Sequence, residues 1–274
     1  MITPTPEDEA ALDATKAPLM EHLIELRKRL VWGLSAFAVA FLVCFYFARP
    51  IFNFLVQPLH HALAGRTNDH LIYTALTEVF FTDVKIGMFG GLCLGFPFIA
   101  AQLWLFIAPG LYRHEKNAFL PFLVAAPVMF ALGAAFVYYV MLPFSITFFA
   151  GYQVPATNGA MGIELQAKVG DYLDFVMRLM AAFGLTFQLP VVLSILAKVG
   201  IVNTRQLRDL RRYAIVALVA LAAVITPPDA ISMVSLAVPL VGLYEISIVC
   251  VWLIQRSKAK AEAERAAARD IAPS

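Results

Sequence analysis

Across 274 residues, 61% of the side chains are hydrophobic and 15% charged, against roughly 45–50% apolar and about 25% charged in soluble domains. That balance excludes a soluble globular domain and makes the chain an integral membrane protein. A net charge of +2, with no basic run gathered on one domain, excludes a nucleic-acid binder.

The opening segment, MITPTPEDEAALDATKAP (residues 1–18), is acidic and contains proline. It has neither the basic n-region and apolar core of a signal peptide nor the Arg-rich character of a transit peptide, so no cleavage is expected and the segment is predicted to be a disordered cytoplasmic N-terminus. Next comes MEHLIELRKRL, Met20 to Leu30. At 100° per residue, Leu19, Leu23, Leu26 and Leu30 form one stripe with Glu21, Glu25, Lys28 and Arg29 opposite, the pattern of an amphipathic helix lying at the membrane interface. Glu25 and Arg29, four residues apart, could pair on its polar face.

A spanning helix needs about 20 apolar residues. Val31–Ala48, Thr82–Ile107, Phe119–Met141 and Tyr172–Val199 qualify, and Tyr213–Ile225 and Ile231–Ile254 read as two more spans joined by the turn Thr226-Pro227-Pro228-Asp229. The cations support six. The N-terminal segment holds Lys16, Arg27, Lys28 and Arg29, the loop after span two Arg113 and Lys116, the loop after span four Lys198, Arg205, Arg208, Arg211 and Arg212, and the tail five more. The alternate loops hold only Arg49, Arg66 and Lys168. The positive-inside rule then predicts both termini in the cytoplasm. Residues 19–254 form the six-span domain, and 255–274 a charged cytoplasmic tail that is partly helical. Pro97, Pro127, Pro190 and Pro239 fall within spans, so kinked, unequal helices forming a curved wall are expected.

Tyr213–Ile225 has 13 residues, about 20 Å against roughly 30 Å of hydrocarbon, so its edge should draw the bilayer thin. That makes Val216, Leu218 and Val234 candidate docking positions for single-span partners. Among intramembrane polar residues, Asp174 and Arg178 stand four apart and could neutralise one another, while Gln188 and Glu245 sit deep in spans four and six. Cys44, Cys93 and Cys250 lie in apolar runs and read as small hydrophobes. No HExxH, Walker or GxSxG pattern occurs, and all five histidines lie outside the apolar spans, so no catalytic residue, metal ligand or cofactor is assigned.

Three segments, HLIELRKRL (His22–Leu30), FIAPGLYRHE (Phe106–Glu115) and TPPD (Thr226–Asp229), resemble signatures of the TatC family, receptor subunits of the twin-arginine protein translocase. The resemblance runs from about Leu19 to Ile254. It implies an all-α six-span receptor in a bacterial cytoplasmic membrane, driven by the proton gradient. Its partners would be Arg-Arg signal peptides, single-span TatA- and TatB-like subunits, lipid and further copies of itself.

It further implies that Glu25 and Glu115 grip the paired arginines, with Arg27 and Arg29 shaping the patch and Phe106 and Pro109 holding the loop. Pro58, Pro227, Pro228 and Asp229 would be structural. A guanidinium presents a planar fork that a carboxylate accepts bidentately, which suits two acids to prefer Arg over Lys. The family commonly carries glutamate where this chain has Gln188, and a polar residue where it has Met233. The alternative is a secondary transporter for a small solute or ion, using Asp83, Lys85, Arg178 and Glu245 as a pathway; a membrane-embedded enzyme fits least well.

Overall fold

The computed structural model describes residues 6–63, 70–107, 116–154, 161–226 and 230–271. They are almost all helical. Among the described residues β-pairing is limited to isolated bridges, Ile72 with Lys168 and Val154 with Ile163.

Helix α1 (Pro6–Tyr46) runs unbroken for 41 residues. The interfacial helix and the first span are therefore one continuous element, as no proline intervenes between Met20 and Tyr46. The helix also reaches back into the segment for which disorder was expected. Pro6 at its first position and Glu7, Asp8 and Glu9 in its first turn suit a helix start. The region after the first span, expected as a loop, is helix α2 (Ala48–Leu63). It buries Leu55, Pro58 and Leu59 on one face and exposes Asn53, His60 and His61 on the other.

Pro58 lies inside α2 and cannot donate to the carbonyl of Phe54, four residues earlier. The Tyr138 hydroxyl takes that place, donating to Phe54 O at 2.9 Å while its ring stacks on Phe54 at 4.3 Å. Tyr172 donates to Leu55 O at 2.8 Å. Two tyrosines from later spans thus fasten α2 to the bundle.

Helix α3 (Glu78–Ile107) lies along α1, and glycines permit the approach. A Cβ on Gly91 would stand 2.7 Å from Phe41 N and Cα, and one on Gly87 would stand 2.9 Å from Phe45 Cβ. Span three comprises α4 (Lys116–Phe136), a π-helical turn Val137–Met141 and α5 (Leu142–Ala150), so it extends well past the expected end at Met141. The π turn places Tyr138 toward α2.

Span four is two helices, α6 (Val169–Thr186) and α7 (Leu189–Val199), because Pro190 has no N–H for the Thr186 carbonyl. The Gln188 amide at the break donates to Ala126 O of α4 at 3.0 Å. Helix α6 supplies the centre of the core: Leu173, Val176, Leu179 and Phe183 are fully buried. At its start the Glu78 carboxylate accepts from the N–H groups of Thr74, Ala75 and Gly170, tying the segment before α3 to α6.

The short α8 (Thr204–Asp209) opens with a capping box between Asn203 and Gln206. It leads into α9 (Arg211–Ile225) and α10 (Ala230–Ile271). Among the described residues, five stretches are long and apolar enough to cross a membrane: His22–Tyr46, Glu78–Leu103, Pro121–Ala150, Val169–Val199 and Ala230–Lys260. Helix α9 has 15 residues, about 22 Å, shorter than the roughly 30 Å of hydrocarbon, and the expected count of six rests on it.

Candidate functional site

The candidate site lies where the charged turn of α1 faces the end of α3. The Arg29 guanidinium is shared, Nη2 reaching Glu25 Oε1 and Nη1 reaching Gln102 Oε1, both at 3.3 Å. Glu25 therefore makes the within-helix pair its spacing allowed. Both partners keep about 30% of their side-chain surface exposed, 29% for Arg29 and 31% for Glu25, and a pair this open and this long is worth only about 0.2–0.5 kcal/mol. One turn away, His22 stacks on Phe106 at 4.4 Å. These two contacts stitch α1 to α3 and hold Phe106 against the charged turn.

Below them lies a groove of about 360 Å³, lined by Leu26, Leu30 and Phe37 of α1 and by Leu92, Ile99 and Leu103 of α3. Gly33 forms part of its wall, and no atom stands within 4 Å of where its Cβ would be. A carboxylate beside an open apolar trough suits a ligand with a cationic head and an apolar continuation. Arg27 is exposed. Glu115, Pro109, Pro227, Pro228 and Asp229 lie outside the described residues. His22 and Gln102 were not picked out from sequence; their signal was a polar side chain within one turn of Glu25 and of Phe106.

The intramembrane polar residues are arranged otherwise than their spacing suggested. Asp174 does not pair with Arg178: Lys85 of α3 reaches both its oxygens, at 2.7 and 2.9 Å. A helix-packing contact has outcompeted the neighbour on the same helix, and Arg178 stays exposed. Glu245 is tied to Arg211 Nε at 2.6 Å and Asp83 to Arg49 at 3.8 Å. Of the residues considered for a transporter pathway, Asp83, Lys85 and Glu245 are thus held in three separate ion pairs and Arg178 stands apart from them, so they form no common route.

Leu218, expected at a docking surface, is buried in the core at 8% exposure, whereas Val216 and Val234 are exposed at 68% and 54%. Met233 packs against the core, and the three cysteines are free.

A family model described as Sec-independent protein translocase protein (TatC) matches residues 21–239. A TatC protein from Magnetococcus marinus is 46% identical over 248 residues, 90% of this chain and 89% of its own. TatC of Rickettsia prowazekii is 41% identical, covering 84% of this chain and 90% of its own, and that of Escherichia coli 37%, covering 84% and 86%. A crystal structure of a twin-arginine translocase receptor, TatC, superposes with a TM-score of 0.74 at 37% identity, over 85% of this chain and 99% of that one. A charged α1–α3 junction above an apolar groove, on a helical framework shared along nearly the whole length of these relatives, leads to one assignment: the chain belongs to the TatC family of Sec-independent protein translocase proteins.

Proposed function

We propose that this chain is the signal-peptide receptor and core subunit of a translocase that exports folded proteins across the bacterial cytoplasmic membrane. Glu25 receives one arginine of an Arg-Arg signal peptide and Glu115 the other. Arg27 and Arg29 set the field of the patch, Phe106 and Pro109 fix the loop between α3 and α4, and the apolar part of the peptide follows the α1–α3 groove. Both termini face the cytoplasm, as the loop cations favour. The exposed face of Val216 and Val234 receives single-span TatA- and TatB-like subunits, and receptor copies associate. The chain performs no catalysis; the proton gradient supplies the energy.

The observation that carries this reading is the weak hold of Arg29 on Glu25, at 3.3 Å and partly exposed. A peptide guanidinium that docks bidentately brings a charge-assisted interaction of about 1.5–3 kcal/mol and so displaces a pair worth a few tenths.

The test is a titration of matched Arg-Arg and Lys-Lys signal peptides against wild type, Glu25→Ala and Glu115→Ala. Each variant should lose roughly 10- to 150-fold in Arg-Arg affinity, with a non-additive double variant, while membrane insertion is unchanged. An Arg-over-Lys preference equal to wild type in both variants would refute the assignment.

A further inference from the structure

Between α8 and α10 lies a second polar–apolar boundary that the signal-peptide reading does not use. A cavity of about 670 Å³ runs along α10, lined by Ile246, Val249 and Cys250 with Arg208, Arg211 and Glu245 at its mouth. A second cavity, of about 520 Å³, shares Arg208 and is lined by Arg205, Trp252 and Gln255. One half is hydrocarbon-like and the other polar, and Arg208 stands in both.

The charge at the mouth is positive. Arg205, Arg208, Arg211 and Arg212 crowd the short stretch 204–212, against Asp209 there and Glu245 on α10. Glu245 engages the Nε of Arg211. Arg205 and Arg208 form no ion pair among the described residues. Two aromatic rings mark the level of the boundary: Trp252 lies under Arg256 at 5.4 Å and Tyr213 under Arg212 at 4.8 Å, the amphipathic pairing found where hydrocarbon meets headgroups. About one and two turns deeper on α10, Val249 and Ile246 face outward, 54% and 53% exposed.

We propose that this pair of cavities binds one anionic phospholipid. Its phosphate is held by Arg208 and Arg205, and one acyl chain lies over Ile246, Val249 and Cys250. Charge complementarity decides against a zwitterionic lipid, whose own cation would meet the arginines. The continuous apolar wall decides against a free anion, which would leave it uncovered. A basic pocket between spanning helices beside a polar–apolar boundary is where a lipid phosphate gains most.

The test uses the full chain with Trp32→Phe and Trp104→Phe, leaving Trp252 as the only tryptophan, in phosphatidylcholine vesicles doped with chain-brominated phosphatidylglycerol or chain-brominated phosphatidylcholine. Brominated phosphatidylglycerol should quench Trp252 with a relative association constant roughly fivefold or more above phosphatidylcholine, about the effect of one cation near the surface. Arg208→Gln should bring that ratio toward one, and Arg208→Lys should keep most of it. Equal quenching by the two lipids overturns the proposal, as does a preference that survives Arg208→Gln. Loss of the preference on adding inorganic phosphate at constant ionic strength assigns a free-anion site and also overturns it. So does protection of Cys250 from alkylation by a co-reconstituted single-span subunit but not by phosphatidylglycerol, which would give the groove to a helix.

Discussion

Replacing Gly91 by alanine is the sharpest test of how α1 is held. The new Cβ would lie 2.7 Å from the backbone N and Cα of Phe41, roughly 0.8 Å or more inside the optimal carbon contact of about 3.5–4.0 Å. Backbone cannot swing aside as a side chain does, so α1 must move bodily away from α3. Overpacking of this kind costs about 1–3 kcal/mol, and the same displacement stretches the Arg29–Gln102 and His22–Phe106 contacts, already at 3.3 and 4.4 Å.

Gly242→Ala is the control, since nothing lies within 4 Å of its Cβ position. Unfolding followed by circular dichroism in mixed detergent micelles should show Gly91→Ala destabilised by that amount and Gly242→Ala close to wild type. Spin labels at Leu34 and Leu103 should report a wider α1–α3 separation in the Gly91 variant alone. Equal stability of the two variants would refute the reasoning that glycine at position 91 exists to let the helices meet.

Tyr138→Phe should cost about 1–3 kcal/mol, because it leaves the Phe54 carbonyl without a donor that Pro58 cannot supply; detergent unfolding measures it, and Pro58→Ala, which restores the backbone donor, should recover part of the loss. Gln188→Leu removes the donor to Ala126 O and should weaken stability by about 0.5–1.5 kcal/mol at every pH, seen in the same assay. Gln188→Glu can make that bond only when protonated, so it should resemble wild type in acid and lose stability as pH rises; a pH-independent Glu variant would show that the bond is unimportant. Reporters fused after Gln206 should be cytoplasmic and those near Asn158 external, as the loop cations require; a cytoplasmic Asn158 would break the six-span reading.

The sequence made the helices legible wherever one segment carried its own evidence. Apolar runs located the long spans; of the four prolines at which a kink was expected, Pro190 stands at a break between α6 and α7, whereas Pro97, Pro127 and Pro239 lie inside unbroken helices. What stayed hidden depended on partners distant in the chain. Asp174 finds Lys85, 89 residues away, whereas spacing on a single helix could offer only Arg178. Glu245 finds Arg211 in the same way. The π turn at Val137–Met141 has no composition of its own, and its role appears only when Tyr138 meets the open carbonyl in α2. At the candidate site, Glu25 was visible as a charge beside an apolar run. Gln102 and His22 became part of it only because the glycines of α3 bring the two helices together.

Inside an energised bilayer, the bond between Lys85 and Asp174 turns two charges into a dipole. A transmembrane voltage does about 2.3 kcal/mol of work per elementary charge per 100 mV on a net charge that crosses the full field, and this pair, closed at 2.7 and 2.9 Å, carries none. While it is joined, the pair itself adds almost no electrical work to a shared shift of α3 and α6 along the field. Were the two side chains to part, Lys85 on α3 and Asp174 on α6 would stand as separate charges of opposite sign, and the voltage would pull them in opposite directions.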